Sequence, residues 1–407
     1  MKGQFLWVSS GRILAAGLQA IILVVLARST DPSTFGFFSA VFGVGVVLQN
    51  AFDLGLGTYI IRERANNPDS SRLPRALILN NLSSAAMAIS GILVLSLLEA
   101  MTHLSFLIYI PLCIALAVER NADVRLGVAL ADGDARVNTV NLVGRRTVSL
   151  AIFFVFFNVF DFEPVLAFGL AATVAAIIST AGAHRYTKQN VAVTSVTATA
   201  RETLSAAWPF YVNSFATQLR NLDSTLVTAV TGATQGGLYS AAARLTGPLR
   251  ILPTSLAAVL LPSASRVNGR AGRRSGLTLT AKVVAVMALF YGVLAVLVPV
   301  GLPLVLGQAY GEAVTAVQIV LGGLVFAAAA SLLSSSLQGW GDARYVGLVA
   351  AVTSITCLGV VSLGAAWAGA TGAAWGLAAS FAVQAILLSA RLPRHLRPDD
   401  TLEGIIE

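Results

Sequence analysis

Long apolar segments separated by short polar ones run along the whole chain. Most of them stay apolar for about 20 residues, the length that an α-helix needs to cross the hydrocarbon core of a bilayer. Strands of a membrane barrel would instead alternate apolar and polar residues. The pattern therefore predicts an all-α polytopic membrane protein, because helices satisfy their own backbone hydrogen bonds in lipid. About 12 transmembrane helices are expected, near residues 5–27, 35–60, 76–98, 104–127, 138–158, 164–184, 203–229, 237–261, 280–301, 313–338, 344–367 and 371–390.

These spans fall into two pseudo-symmetric six-helix bundles around a predicted central cavity. The N-terminal bundle covers 1–184, a polar, threonine-rich cytoplasmic linker covers 185–202, and the C-terminal bundle covers 203–390. Residues 391–407 are predicted to form a cytoplasmic tail. An even number of spans in each half makes the halves parallel repeats, related by an axis along the membrane normal.

Two short motifs recur half a chain apart and support this repeat. Phe35-Gly36-Phe37-Phe38-Ser39-Ala40 at span two corresponds to Gly236-Gly237-Leu238-Tyr239-Ser240-Ala241 at span eight. Gly133-Asp134-Ala135-Arg136, between spans four and five, recurs as Gly341-Asp342-Ala343-Arg344 between spans ten and eleven. Glycine in a tight turn and aspartate as a helix cap explain the residue types locally. They do not explain the shared spacing.

Arginine and lysine residues concentrate in alternate loops and near the adjoining span ends. Such residues are Arg62, Arg64, Arg72, Arg75, Arg136, Arg185, Lys188, Arg201, Arg266, Arg270, Arg273, Arg274, Arg391, Arg394 and Arg397. The other loops are short and, apart from Arg28, hold almost no positive charge. The positive-inside rule then places both termini in the cytoplasm. The net charge of +8 thus indicates topology, and no nucleic-acid partner is expected.

The composition excludes a soluble domain, since 56% of the residues are hydrophobic and only 11% are charged. Soluble domains carry about 25% charged residues. Span four is the least regular, because Glu119, Arg120, Asp123 and Arg125 lie at its end. We expect this helix either to protrude beyond the bilayer or to line a water-filled lumen. Cysteines and histidines form no metal-binding motif, so neither a metal nor a cofactor is expected.

Four arginines lie inside predicted spans: Arg12, Arg220, Arg244 and Arg250. An arginine at the centre of a lone membrane helix costs about 2.5–3.5 kcal/mol on insertion scales, and such residues usually face a bundle interior or a wet cavity. Several of them on neighbouring spans predict a cationic chamber inside a transporter. The alternatives are internal pairing, as between Arg220 and Asp223 one helical turn apart, and snorkelling to an interface for Arg244 and Arg250.

Diffuse motifs over nearly the whole chain resemble one transporter family. They are Ala27-Arg28, Phe35-Gly36-Phe37-Phe38, Asp53-Leu54-Gly55-Leu56, Gly237-Leu238-Tyr239, Ala243-Arg244-Leu245, Leu261-Pro262, Leu306-Gly307-Gln308-Ala309-Tyr310 and Gln338-Gly339-Trp340-Gly341-Asp342. The pattern resembles the polysaccharide flippases, or lipid-linked oligosaccharide translocases, of the multidrug/oligosaccharidyl-lipid/polysaccharide exporter superfamily. The resemblance implies a V-shaped, alternating-access cavity between two six-helix bundles. It also implies a multi-pass protein of the bacterial inner (cytoplasmic) membrane.

The substrate implied by the resemblance is a polyprenyl pyrophosphate carrying a short sugar chain. It would move from the inner to the outer leaflet for surface polysaccharide synthesis. An unpaired anion cannot cross about 30 Å of hydrocarbon, so a path lined with cations is needed. Arginine suits this task because its planar guanidinium group stays charged and pairs with two phosphate oxygens. The amides of Asn213, Gln218 and Asn221 are candidates for sugar contacts or for bonds between helices.

Two acidic residues are candidates for coupling to Na⁺ or H⁺. Asp223 lies deep in an apolar span, and its alternative role is a pair with Arg220. Asp53 ends span two beside Leu54-Gly55-Leu56-Gly57, and its alternative role is at the turn. Membrane lipids are the surrounding partners, and we expect a monomer because the predicted cavity is enclosed by one chain.

Two other functions are weighed against flipping. A multidrug or cation antiporter of the same superfamily would need acidic cavity residues, whereas intramembrane arginines outnumber acids here. A membrane enzyme of polysaccharide assembly would need a sizeable outer catalytic loop. The outer loops have the length of ordinary helix connections, and no nucleophile or phosphate-loop motif is present. We therefore expect a transporter and not an enzyme.

Overall fold

The computed structural model describes residues 2–102, 105–191, 198–257 and 270–396. All regular elements in these ranges are helical, so the predicted all-α fold is confirmed. The α-helices are α1 Lys2–Arg28, α2 Pro32–Ala51, α3 Leu56–Asn66, α4 Arg72–Thr102, α5 Ile110–Ala131, α6 Ala135–Asn158, α7 Pro164–Asn190, α8 Ala200–Gln218, α9 Asp223–Thr231, α10 Ala233–Thr246, α11 Arg270–Leu306, α12 Val314–Gly339, α13 Ala343–Ser389 and α14 Leu392–Leu396. Short 3-10 turns occupy Leu107–Tyr109, Leu219–Leu222, Gly247–Arg250 and Gln308–Ala313.

Many of these helices can cross a membrane. Within the described ranges, eight segments are long and apolar enough: Ser10–Arg28, Pro32–Asn66, Arg72–Thr102, Ala135–Asn158, Pro164–Asn190, Ala271–Leu306, Gln308–Gly339 and Ala343–Leu396. Most described residues of the twelve predicted spans lie in helices, and the exceptions include 52–55 in span two and 105–106 in span four. α5 is too charged to be among the eight, which matches the irregularity that the sequence shows in span four.

Three predicted spans are not continuous helices, and these predictions are corrected. Span two is interrupted between α2 and α3, where Leu54 and Gly55 have positive φ angles of 54° and 75°. Span seven is interrupted by the turn Leu219–Leu222, and span eight by the turn Gly247–Arg250. Pro248 explains the third interruption, because proline cannot donate a backbone hydrogen bond. The turn Leu219–Leu222 contains neither glycine nor proline, and the sequence gives no comparable signal there.

α13 contains the turn that the sequence predicts between its last two spans. Ala368 and Gly369 leave helical geometry, with φ angles of −142° and 57°. The two arms then pack so closely that a side chain at Gly364 would collide with the backbone of Gly372. Small residues allow this approach of helix backbones in membrane proteins.

The chain forms two compact units, residues 1–225 and 226–407. In the first unit α5 is central and packs against α7, α4 and α3. α8 also belongs to this unit, where it packs against α3 and α2. Spatial units and sequence repeats are different divisions, so the predicted boundary at 185–202 stays a prediction. The part of this linker at 192–197 lies outside the described residues.

The repeated Gly-Asp motif forms the same turn in both units. Gly133 and Gly341 have φ angles of 83° and 97°. The Asp134 N–H donates to the Ala129 carbonyl at 2.8 Å, and the Asp342 N–H donates to the Leu337 carbonyl at 2.9 Å. Both turns follow the glycine-ended pattern that satisfies the last carbonyls of a helix. This shared geometry supports the predicted repeat.

The second copy of the turn carries an ion-pair cluster. Arg391 Nε donates to Asp342 Oδ2 at 2.8 Å, and His395 Nε2 lies 2.6 Å from the same oxygen. Arg273 Nη1 donates to the His395 carbonyl at 3.1 Å. These contacts join the turn after α12 to the ends of α13 and α14 and to the start of α11. The hydrogen bonds from Arg391 and His395 lower the pKa of Asp342 from 3.8 to about 2.

Acidification should therefore weaken the second unit between about pH 4 and pH 2. A carboxyl group with a lower pKa in the folded state stabilises the protein above its unfolded pKa, and this contribution is lost as pH falls toward the folded value. The melting temperature of wild type and Asp342→Asn, followed over this range, tests the effect. The variant should lose less stability than wild type on acidification. Asp134 has no ion pair with any described residue, so Asp134→Asn, in the equivalent turn, should be as acid-sensitive as wild type. Equal acid sensitivity of all three proteins would contradict the role of Asp342.

Candidate functional site

The four predicted arginines occupy different structural settings. Arg12 lies on α1 with an exposed side chain, and Arg220 lies half-buried in the turn Leu219–Leu222 of the first unit. In the second unit, Arg244 is half-buried near the end of α10, and Arg250 ends the turn Gly247–Arg250. Two of the four therefore lie at helix interruptions. Both turns are flanked by residues in right-handed helical geometry, and 3-10 stretches inside a helix often mark a functional hinge.

The guanidinium group of Arg250 stacks on an aromatic ring. Its central carbon lies 5.1 Å from the centroid of Phe381 on the second arm of α13. Tyr291 of α11 donates its hydroxyl to the carbonyl of Leu249, the residue before Arg250, at 3.1 Å. The turn is thus held by α11 and α13. A cation held over a ring keeps its charge while part of its surface is covered.

The predicted amides at the turn Leu219–Leu222 bond to each other. Asn221 Nδ2 donates to Gln218 Oε1 at 2.7 Å and to the Gln218 carbonyl at 3.1 Å. Asp223 starts α9, and its Oδ1 accepts the Ser224 N–H at 2.6 Å. These bonds give the three side chains a local structural role. The side chain of Asn213 lies outside the described residues.

Asp53 lies at the first interruption, half-buried between α2 and α3. Its Oδ2 accepts the Gly57 N–H at 3.4 Å, which is a turn contact. Its electrostatic partner is Arg120 of α5, which is only 4% exposed. Arg120 Nη1 donates to Ser84 Oγ at 2.6 Å, while its Nε and Nη2 have no hydrogen-bond partner within the described part of the chain. Asp53 therefore combines the turn role with attraction to a buried cation.

A second charged group links α5 to α6. Arg145 is 4% exposed and donates to Asp123 Oδ1 at 2.9 Å. Its other terminal nitrogen lies 3.1 Å from Glu119 Oε1, and Arg146 lies 2.6 Å from the same oxygen. Two positive and two negative charges balance in this group. Buried charges persist only when paired and hydrogen-bonded in this way.

Arg125 is the third buried arginine of the first unit, at 5% exposure. Its guanidinium donates to Asn121 Oδ1 at 2.9 Å, Thr187 Oγ1 at 3.0 Å and Asn81 Oδ1 at 2.7 Å. All three acceptors are neutral. α5 packs in the core of the first unit and carries Arg120 and Arg125 there. Whether it protrudes beyond the bilayer or lines a water-filled lumen stays a prediction.

The α5 charges are absent from the predicted site, because each arginine inside an apolar span was interpreted by itself. In the structure, Glu119 and Asp123 are matched by Arg145 and Arg146 on the next helix. Opposite charges on consecutive spans were the signal that could have identified the network.

Comparisons with known proteins agree with this architecture. Residues 2–268 match the family described as polysaccharide biosynthesis protein. No curated protein sequence matches the chain significantly. Similar solved structures include an inward-facing multidrug resistance MATE family transporter of the MOP superfamily, with TM-score 0.75, 15% identity and 94% of each chain covered.

Two further structures have the same fold. An outward-facing multidrug resistance MATE family transporter of the MOP superfamily has TM-score 0.68 and 15% identity over 97% of this chain and 95% of the other. A MOP superfamily transporter from Pyrococcus furiosus, described as having a binding pocket of reverse polarity that suggests a different function, has TM-score 0.65 and 14% identity over 97% and 95%. The chain has the fold of MOP-superfamily transporters, and it belongs to the polysaccharide biosynthesis protein family.

Proposed function

We propose that this protein flips a polyprenyl-pyrophosphate-linked oligosaccharide from the inner to the outer leaflet, for surface polysaccharide synthesis. The observation that carries the proposal is the match of residues 2–268 to a polysaccharide biosynthesis family in a chain with a transporter fold. The proposed setting is the bacterial inner membrane with both termini in the cytoplasm. In the simplest form of the proposal, the protein acts as a monomer and a gradient of Na⁺ or H⁺ drives the transport.

The charge of the substrate fits the arginines at the helix interruptions. A pyrophosphate group needs several cationic donors once it leaves water, and arginine supplies two parallel hydrogen bonds to phosphate oxygens. Arg220 and Arg250 lie where helices are interrupted, and Arg12 and Arg244 lie on helices of the respective units. We assign these four side chains to the pyrophosphate. The interruptions would let the helices bend during alternating access.

Transfer between leaflets of liposomes tests the proposal directly. Purified protein is reconstituted, and the transfer of a fluorescent polyprenyl-pyrophosphate oligosaccharide is measured for wild type, Arg220→Ala and Arg220→Lys. Loss of a hydrogen bond to a charged group costs about 1.5–3 kcal/mol, so Arg220→Ala should slow transfer about 10- to 100-fold. Arg220→Lys should retain part of the rate, because lysine keeps the positive charge. The retention should be partial, because lysine lacks the planar guanidinium group that pairs with two phosphate oxygens.

Arg136→Ala is the matched control, because Arg136 is exposed at the start of α6. It should transfer the lipid at the wild-type rate. Transfer that is unchanged in Arg220→Ala would keep the function and remove Arg220 from the site. A folded wild-type protein that moves no lipid-linked glycan but exports a cationic dye would instead establish the multidrug antiporter.

A further inference from the structure

A groove of about 580 Å³ opens between α4, α5 and α7 of the first unit. Its polar wall includes Asn81, Asn121, Arg125 and His184. Its apolar wall is made largely of small side chains, among them Ala85 and Ala88 of α4 and Ala181 of α7. One groove thus combines a charged end with an apolar channel.

The charge of Arg125 has no acidic partner in the described part of the chain. A guanidinium group has five N–H donors. The protein supplies three neutral acceptors, on Asn121, Thr187 and Asn81, and leaves the positive charge uncompensated. The neighbouring acids Glu119 and Asp123 are already engaged by Arg145 and Arg146. A buried cation without a counter-ion is costly, and an anion bound in the groove would remove that cost.

The surface around the groove is strongly apolar. On α4, Ile78, Leu82 and Ile89 are 41%, 62% and 58% exposed, and on α7 Ile177 and Ile178 are both 54% exposed. Large exposed aliphatic side chains on a membrane helix face hydrocarbon. A ligand that enters this groove from the side must therefore have an apolar part, which excludes a fully hydrated ion as the natural occupant.

The charged end of the groove lies near the ends of α5 and α7, at the level where a lipid headgroup would lie. Arg125 and His184 lie within two helical turns of the ends of α5 and α7, at Ala131 and Asn190. The loop charges assign these helix ends to the cytoplasm. Basic pockets between membrane helices on that side are known to hold anionic headgroups.

We propose that this groove binds an anionic phospholipid of the cytoplasmic leaflet. The phosphate accepts hydrogen bonds from Arg125, and one acyl chain lies along Ala85, Ala88 and Ile177. The site is separate from the arginines assigned to the transported substrate, and the proposal does not depend on which substrate that is.

Native mass spectrometry and melting temperature test the site on the full-length protein in detergent. The probes are phosphatidylglycerol, phosphatidylcholine with the same acyl chains, and inorganic phosphate. We expect phosphatidylglycerol to bind at least about tenfold more tightly than phosphatidylcholine and to raise the melting temperature. Inorganic phosphate alone should raise it little, because the apolar channel stays empty. Equal binding of the two lipids, or an equal effect of inorganic phosphate, would overturn the proposal.

A pair of variants on one helix separates the groove from the general lipid surface. Ala85→Phe fills the groove without touching the hydrogen bonds of Arg125, and should weaken phosphatidylglycerol binding about tenfold or more. Ala86→Phe adds the same side chain at an exposed neighbouring position outside the groove, and should bind as wild type. Arg125→Gln removes the charge and should abolish the preference for phosphatidylglycerol. Equal binding by the two phenylalanine variants would show that the lipid sits elsewhere.

Discussion

Replacing Arg145 with methionine should lower the free energy of unfolding by about 3–5 kcal/mol, because it leaves carboxylates inside the membrane protein without their main counter-ion. Glu119, whose side chain is 13% exposed, would keep only Arg146 at 2.6 Å, so one positive charge would have to balance two carboxylates. The side chain of Arg145 is 2% exposed, so water cannot replace it. Unfolding of the purified protein by heat or denaturant in detergent measures the change.

Asp123→Asn is the control for this prediction. The Asp123 side chain is 51% exposed, and pairs at exposed positions contribute about 1 kcal/mol or less. The asparagine variant should therefore unfold near the wild-type temperature. If Arg145→Met were as stable as wild type, the network would not be compensating buried charge.

Replacing Gly55 with alanine should be the second most damaging change, at about 2–5 kcal/mol. A left-handed residue other than glycine costs about 1–2 kcal/mol, and forcing an atom into a packed interior costs about 1–3 kcal/mol more. Gly55 has a φ of 75°, and an added Cβ would lie 2.7 Å from the Tyr211 amide nitrogen and against the Ala207 carbonyl. α8 would have to move away from the turn between α2 and α3.

The matched change is Gly17→Ala in α1, where an added Cβ meets nothing within 4 Å. It should be neutral or stabilising by up to about 1 kcal/mol, the difference in helix propensity. The two predictions are tested by measuring the melting temperature and the yield of folded protein for both variants. A Gly55→Ala protein as stable as Gly17→Ala would mean that the turn relaxes without cost. Because α8 leads into the turn that holds Arg220, Gly55→Ala should also impair transport in the protein that remains folded.

The positions of the helices could be predicted because hydrophobic length is a local property of the chain. The Gly-Asp turns could be predicted for the same reason, since glycine, aspartate and the helix ends are all close in sequence. The interruption at Leu219–Leu222 could not, because no glycine or proline marks it. Its polar residues Arg220 and Asn221 were visible, but polarity inside an apolar span fits a continuous helix facing a cavity equally well.

The burial of Arg120 and Arg125 on α5 could not be predicted, because burial depends on partners far away in sequence. Four ionisable residues at one end of a helix are typical of a surface segment. Arg125 becomes buried only because Asn81 and Thr187, on α4 and α7, supply acceptors at 2.7 and 3.0 Å. Which arginines meet a substrate is likewise decided by packing. The assignment of Arg12, Arg220, Arg244 and Arg250 to the substrate therefore stays a prediction, which the transfer experiment tests.

The two equivalent turns at Gly133 and Gly341 have a consequence for folding during synthesis. Each is closed by bonds between residues only a few positions apart, as from Asp134 to Ala129 and from Asp342 to Leu337. Such a turn can form while the chain is still emerging from the ribosome, before distant segments exist. Two neighbouring helices would then enter the membrane as a preformed hairpin, once in each half. Nascent chains that stop shortly after 158 and after 367 should therefore already show compact hairpins.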